Sequence, residues 1–418
     1  MKRMTLRSTA AALAVLAASA ATALAADTKG PVTDELGVIK LSKNEPLQIG
    51  FMGVISGADA ALGIDEQRGA EISIQDAGGK IGGHPIKLVP EDSSCSAEGG
   101  QTAATKLAAN QKIVVVVGPT CSSETKPAAP ILWKAGISMV GISPTAPGLT
   151  DPKRDPSYNG FVRVVWNDNW AGSTAADWAY KVLGAKKAVG IHDGSPYAQG
   201  YVQVFLDRFK QLGGQVSPAE AIAPNDTDMK PMLTKVATEK PDVIFYPIFV
   251  AAAAHITRQA GTVTGLEKAT LVSAEGAMVP DFLKLAGDAS TKVNLTIGDT
   301  SPDVLGKGYP DFLKKYKAKY GEDPVGGFHH FGYDATTLAL DAIKKVIKTD
   351  KDGNSYIGKK ALRDAIFATK GLQGLTGPKN CDANGDCGVY NFTVFKFVNA
   401  NEPFKLGVNP VKIYPKKS

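Results

Sequence analysis

Between residues 113 and 150 the chain builds the same device twice: a run of β-branched and apolar residues that ends in a turn offering small hydroxyl side chains. The first copy is Ile113-Val-Val-Val-Val117 followed by Gly118-Pro-Thr-Cys-Ser-Ser123, and the second is Ser138-Met-Val-Gly-Ile142 followed by Ser143-Pro-Thr-Ala-Pro147. Runs without polar alternation suit strands covered on both faces, as in parallel sheets. Parallel strands end in a crevice at their carboxyl ends, where hydroxyls and free backbone N–H groups can meet a small ligand. A parallel α/β fold with a ligand site at these two turns is therefore expected.

The same rhythm covers most of the chain. Strands are expected over 47–53, 86–89, 113–117, 138–142, 161–165, 188–192, 215–222, 243–246, 270–273 and 390–398. Helices are expected over 59–77, 97–110, 123–135, 171–183, 198–212, 229–238, 251–262, 310–320, 329–347 and 359–369. Alternation of this kind reads as doubly wound α/β, and 418 residues exceed what one core usually supports, so two lobes are expected. Residues 26–45 read as a polar leader, and 151–159 as a loop rich in Pro, Asp and Lys.

Residues 1–25 carry a secretory signature. Lys2, Arg3 and Arg7 precede an apolar stretch from Ala10 to Ala18, and Ala23-Leu24-Ala25 fits a small-residue cleavage site. That apolar core is too short to span a bilayer, and no other stretch approaches the roughly 20 apolar residues required. No Cys follows the cleavage region before Cys95, which argues against a lipid anchor. A periplasmic protein without membrane insertion is expected.

The formal charge of +6 includes the three cations of the signal, and the rest forms no basic block. Lys314, Lys315, Lys317 and Lys319 read as a solvated helix face, so a nucleic-acid partner is not expected. Four cysteines in an exported chain suggest disulfides. Cys381 and Cys387 bracket the turn-rich Asp-Ala-Asn-Gly-Asp, which could bring them together and leave Cys95 with Cys121. Zinc is the alternative, on poor ligand spacing.

Catalytic signatures are absent. The glycines at 78–83 and 306–308 match neither a P-loop nor a dinucleotide fingerprint, and 141–145 lacks the second Gly of a hydrolase elbow. Asp382-Ala-Asn-Gly-Asp386 lacks the later Glu of a calcium loop and reads as a tight turn. His329 and His330, adjacent on a helix, cannot both face one metal. A secreted hydrolase using His192, Asp193 and Glu275 would lack any visible coupling of nucleophile to base. No enzyme activity, cofactor or metal is expected.

Eight pieces follow in order: Ser56-Gly57, Gly69-Ala-Glu71, Glu91-Asp92 with Cys95, Gly118–Ser123, Ser143–Thr150, His192–Ala198, Asp242–Tyr246 and Ala274-Glu275-Gly276. Together, over residues 46–400, they resemble the leucine/isoleucine/valine-binding proteins, the periplasmic receptors of branched-chain-type amino-acid ABC importers. The resemblance implies the type I periplasmic binding protein architecture, two α/β lobes joined by three crossings that close on ligand by hinge motion. It implies lobe 1 over 46–164 with 302–376, and lobe 2 over 165–301 with 377–418. A Cys95–Cys121 disulfide, a membrane permease as partner and a monomer are implied too.

Carried over residue by residue, the resemblance gives Ser122 and Thr145 to the ligand carboxylate, beside the start of a helix. The Ser143 carbonyl receives the ligand ammonium, Glu275 neutralises it, and Tyr197 closes over it. Leu62 and Phe249 stand where branched-chain receptors carry Tyr, and Phe328 forms a further apolar wall. Each has a structural alternative: helix capping for Ser122 and Thr145, a solvated loop for Glu275, plain packing for Tyr197. An amino acid is the expected ligand. Amides, urea or aromatic carboxylates are the alternative within binding proteins, and a secreted ligand-sensing module shares the fold.

Overall fold

Residues 26–388 and 390–415 are described by a computed structural model, and the expected signal peptide lies outside them. The first sheet has the spatial order Lys80–Ile81, His84–Asp92, Leu47–Gly53, Ile113–Val117, Met139–Gly141, Phe161–Arg163. All neighbours are parallel except the short first pair. Every residue of Ile113–Val117 is buried, which is why that strand shows no alternation in sequence. Parallel neighbours need crossovers, supplied by the helices Ala60–Asp76, Ala97–Ala109 and Ser122–Lys134.

The second sheet repeats this logic from residue 187 onward. Its order is Gln215–Val216, Lys187–His192, Val243–Phe245, Thr270–Ala274, Val293–Gly298, then antiparallel Phe392–Lys396 and Val411–Tyr414. In each sheet the strand that comes first in sequence, Leu47–Gly53 or Lys187–His192, has later strands on both sides. Both sheets therefore have a switch point, where neighbouring strand ends diverge and leave a crevice.

The chain passes from the first sheet to the second after Arg163 and leaves the second after Gly298. The helices Tyr309–Tyr320 and His329–Val346 pack beside Ala60–Asp76, and Phe392 returns to the second sheet. Lys315 and Lys319 pair at 2.7 Å with Asp76 and Glu71, so the lysine face partly binds a neighbouring helix.

Three differences from the sequence reading have physical causes. The leader is not an appendage: Val38–Leu41 pairs antiparallel with Ser355–Gly358, and Asp34 accepts the amides of Lys360 and Ala361 at 3.0 Å, capping the helix Lys359–Phe367. The strand expected over 215–222 is two pieces, Gln215–Val216 and Glu220–Ala221, with Pro218 between them unable to donate to a ladder. Val293–Gly298, a fully buried strand, was not read, because Asn294 and Thr296 dilute its apolar run.

Helices Ala60–Asp76 and His329–Val346 approach at backbone distance. A Cβ on Gly332 would lie 2.0 Å from the Glu66 carbonyl oxygen, and one on Gly69 would lie 1.9 Å from that of His329. Gly332→Ala is expected to destabilise the protein by about 1–3 kcal/mol, because rigid backbone must move apart. An unchanged midpoint in chemical denaturation would contradict this packing.

Candidate functional site

The first hydroxyl turn is shaped at Gly118, whose φ of +119° favours glycine and whose Cβ would meet the Met52 carbonyl oxygen at 2.0 Å. Beyond it the Thr120 hydroxyl donates to Glu66 Oε2 at 2.7 Å and accepts from the Val54 amide at 3.3 Å. Glu124 accepts the Cys121 amide at 2.6 Å at the start of the helix Ser122–Lys134. Ser122 is buried in the first turn, and its Oγ accepts from the Ala146 amide at 3.0 Å, tying the first turn to the second. The Ser122 hydroxyl thus serves the second turn.

In the second turn, the Ser143 hydroxyl is hydrogen-bonded to Glu66 and to the Thr120 carbonyl, the latter at 2.8 Å. Glu66 is wholly buried, and burial pushes its carboxyl well above the ordinary range against the pull of both hydroxyls. It is one of the residues missed from sequence. The available signal was its place four residues after Leu62 on the buried helix face. The sulfurs of Cys95 and Cys121 are bonded, as are those of Cys381 and Cys387, so the zinc alternative falls.

The facing side comes from the second sheet. Glu275 follows the strand Thr270–Ala274 in a tight 3-10 turn, Asp168 opens the helix Asp168–Lys181, and Tyr197 lies in the first turn of Pro196–Gln211. Both carboxylate oxygens of Glu275, both of Asp168, and the hydroxyls of Tyr197 and Tyr201 are buried without a hydrogen bond of good geometry. Burial raises Glu275 to about 7, opposed by its own nearby backbone amide and by the nearby Tyr197 hydroxyl. Burial and the Glu275 charge push Asp168 well above the carboxylate range, against the weaker pull of the nearby Thr145 hydroxyl and the Arg163 charge. Buried acids without partners are costly until a cation arrives or a proton is taken up. Asp168 carried no sequence signal beyond helix-start chemistry.

Both sides meet in one narrow cavity of about 20 Å³. It is lined by all eight residues nominated from sequence, Leu62, Ser122, Ser143, Thr145, Tyr197, Phe249, Glu275 and Phe328, together with Thr120, Cys121 and Gly276. His192 and Asp193 are not among the lining residues, and both accept local amides instead, at 3.2 Å from Gly194 and 2.9 Å from Ser195. The hydrolase constellation is not assembled. Tyr197 stacks obliquely on Phe249 with ring centroids 5.3 Å apart. Phe328 is fixed from behind, since Asp65 accepts the amides of Phe328 and His329 at 2.8 and 2.7 Å and the His329 ring at 2.9 Å. The cavity therefore has a hydroxyl-lined end, an acidic end and an apolar wall.

The family described as periplasmic binding protein matches residues 46–401. An amino acid binding protein of Pseudomonas aeruginosa is 28% identical over 354 residues, covering 84% of this chain and 89% of the relative. Among solved structures, the leucine binding protein LivK of Thermotoga maritima superposes with a TM-score of 0.75 at 25% identity, covering 86% of this chain and 97% of that one. The branched-chain amino acid transporter substrate binding protein LivJ of Streptococcus pneumoniae, in complex with isoleucine, gives 0.74 at 26% identity, covering 88% and 99%.

Proposed function

The chain belongs to the periplasmic binding protein family, and on that premise we propose that it captures an amino acid between two hinged lobes and delivers it to the permease of an ABC importer. The observation that carries this reading is the polarity of the cavity: hydroxyls and a helix start on one side, the buried Glu275 carboxyl without a hydrogen-bond partner on the other. A zwitterion matches both ends at once. Its carboxylate goes to Ser122 and Thr145 beside the start of Ser122–Lys134, where the helix dipole favours an anion. Its ammonium goes to Glu275 and the Ser143 carbonyl, which supplies the charge that the acidic end lacks. Leu62, Phe249 and Phe328 take the side chain, and Tyr197 closes over the ligand.

An acid without an amine would leave Glu275 unpaired, so the acidic end favours the amino acid over aromatic carboxylates. The names of the relatives agree with an amino-acid ligand. The proposed lobes follow the two sheets, 46–164 with 302–376 and 165–301 with the strands Phe392–Lys396 and Val411–Tyr414, with the Cys381–Cys387 loop on the edge of the first sheet, and export by residues 1–25 with cleavage near Ala25 completes the reading. Among the described residues no helix is long and apolar enough to cross a membrane. A thermal-shift panel of the common amino acids against benzoate, urea and simple amides tests it. Amino acids should raise the melting temperature; a response confined to the other compounds would overturn the reading.

Transport requires that ligand bind the closed form more tightly than the open one, since equal affinity shifts no population. Closure brings Pro147 onto the helix Pro196–Gln211, where a Cβ on Gly200 would lie 2.9 Å from the proline ring. Gly200→Leu is expected to leave the ligand-free melting temperature near that of the wild type, weaken ligand binding roughly tenfold or more, and keep the scattering envelope open with ligand present. Full closure of this variant would contradict the hinge assignment.

A further inference from the structure

Behind the second hydroxyl turn lies a fully buried guanidinium. Arg163, at the end of the edge strand Phe161–Arg163, donates from Nη1 to the carbonyls of Pro144 and Ala146 at 3.1 and 2.9 Å, and from Nη2 to the Thr150 hydroxyl at 2.6 Å. The two carbonyls flank Thr145. A trans peptide points its C=O and N–H in opposite directions, so anchoring the Pro144 carbonyl on Arg163 turns the Thr145 N–H the other way. The Thr145 carbonyl accepts from the Asp168 amide at 3.0 Å, and the Ala146 amide donates to Ser122. Each peptide plane around Thr145 is held.

The countercharge of Arg163 is Asp386, 2.6 Å from Nε, whose other oxygen accepts from Asn167 at 2.9 Å. Asp386 sits in the loop closed by Cys381 and Cys387. That loop is docked on the sheet edge: the Arg163 amide donates to the Gly385 carbonyl at 2.8 Å, and the Cys387 amide donates to the Arg163 carbonyl at 2.9 Å. Within it Asp382 accepts the amides of Asn384 and Asp386, so the Asp-Ala-Asn-Gly-Asp run is the tight turn its composition suggests.

We propose that the Cys381–Cys387 loop is a positioning device for the anion end of the ligand cavity, acting through Asp386 and Arg163 on the turn that carries Thr145. It rests on the reading that this turn receives the ligand carboxylate. Without Asp386 the buried guanidinium loses its ion pair and reorganises, releasing the Pro144 and Ala146 carbonyls. Glu275 stands on the other sheet and keeps its place, so the loss is selective for the carboxylate.

The test is calorimetric titration of the full chain with the common L-amino acids and their α-carboxamides, in the wild type, Cys381→Ser/Cys387→Ser, Asp386→Asn and Asp386→Glu. The wild type should prefer the acid over the carboxamide. The disulfide variant and Asp386→Asn should lose on the order of tenfold of that preference while amide affinity holds, and Asp386→Glu should restore it. If the disulfide variant does not fold, the two Asp386 variants decide. A wild type without the preference contradicts the carboxylate reading itself. A preference that survives intact in the variants overturns this proposal alone.

Discussion

Glu275→Gln is expected to lower affinity for amine-bearing ligands by roughly a hundred- to a thousandfold while leaving the fold intact. In the proposed complex the carboxylate and the ammonium are buried together, and deleting one charge of such a pair leaves the other uncompensated at a cost of about 3–4 kcal/mol. The ligand-free protein should respond in the opposite direction. There both Glu275 oxygens are buried without a hydrogen-bond partner, so replacing the carboxyl by a carboxamide removes an uncompensated buried acid beside Asp168. Calorimetry and thermal denaturation at neutral pH read the two effects separately. Binding within about threefold of the wild type would remove Glu275 from the site.

The second large effect is on pH. Burial raises Glu275 from an ordinary value of 4.5 to about 7. Between those values the folded, ligand-free protein keeps a proton that the unfolded chain has shed, so its stability falls as pH rises through this window and levels off above it. Ligand binding has the reverse sign, because an ammonium needs the ionised carboxylate. Affinity for an amino acid should rise about tenfold per pH unit from pH 5 to pH 7 and then flatten. Asp168 is pushed further up by burial and by the Glu275 charge, so the pair presents one negative charge to one ammonium near neutrality. In Glu275→Gln the slope should vanish. An affinity that is flat from pH 5 to 7 in the wild type would contradict the acidic end of the site.

The strands most legible in sequence are those with an unbroken apolar run. Ile113–Val117 announces itself because burial on both faces permits no polar residue, and the hydroxyl turns stand out because they follow such runs directly. The leader was illegible for the opposite reason: Val38–Leu41 is short and finds its partner, Ser355–Gly358, more than 300 residues later. The same distance hides the supports of the site. Ser122, Thr145 and Glu275 sit at strand ends where chemistry is expected, whereas Arg163 gains its meaning only from Asp386, 223 residues away. Glu66 is a milder case, since an acid on the buried face of an amphipathic helix asks for partners, and its partners are the hydroxyls of Thr120 and Ser143. Asp168 reads locally as an ordinary helix start; its unpaired burial appears only once the second sheet is assembled.

In the proposed complex one small molecule satisfies an anion-binding turn and a buried carboxylate at the same time. Calorimetric titration of the best-binding α-amino acid beside its deaminated acid and its decarboxylated amine probes both ends. Both fragments should bind weaker than the amino acid by on the order of a hundredfold, because each leaves one end of the cavity unpaired. Equal binding by either fragment would contradict the account.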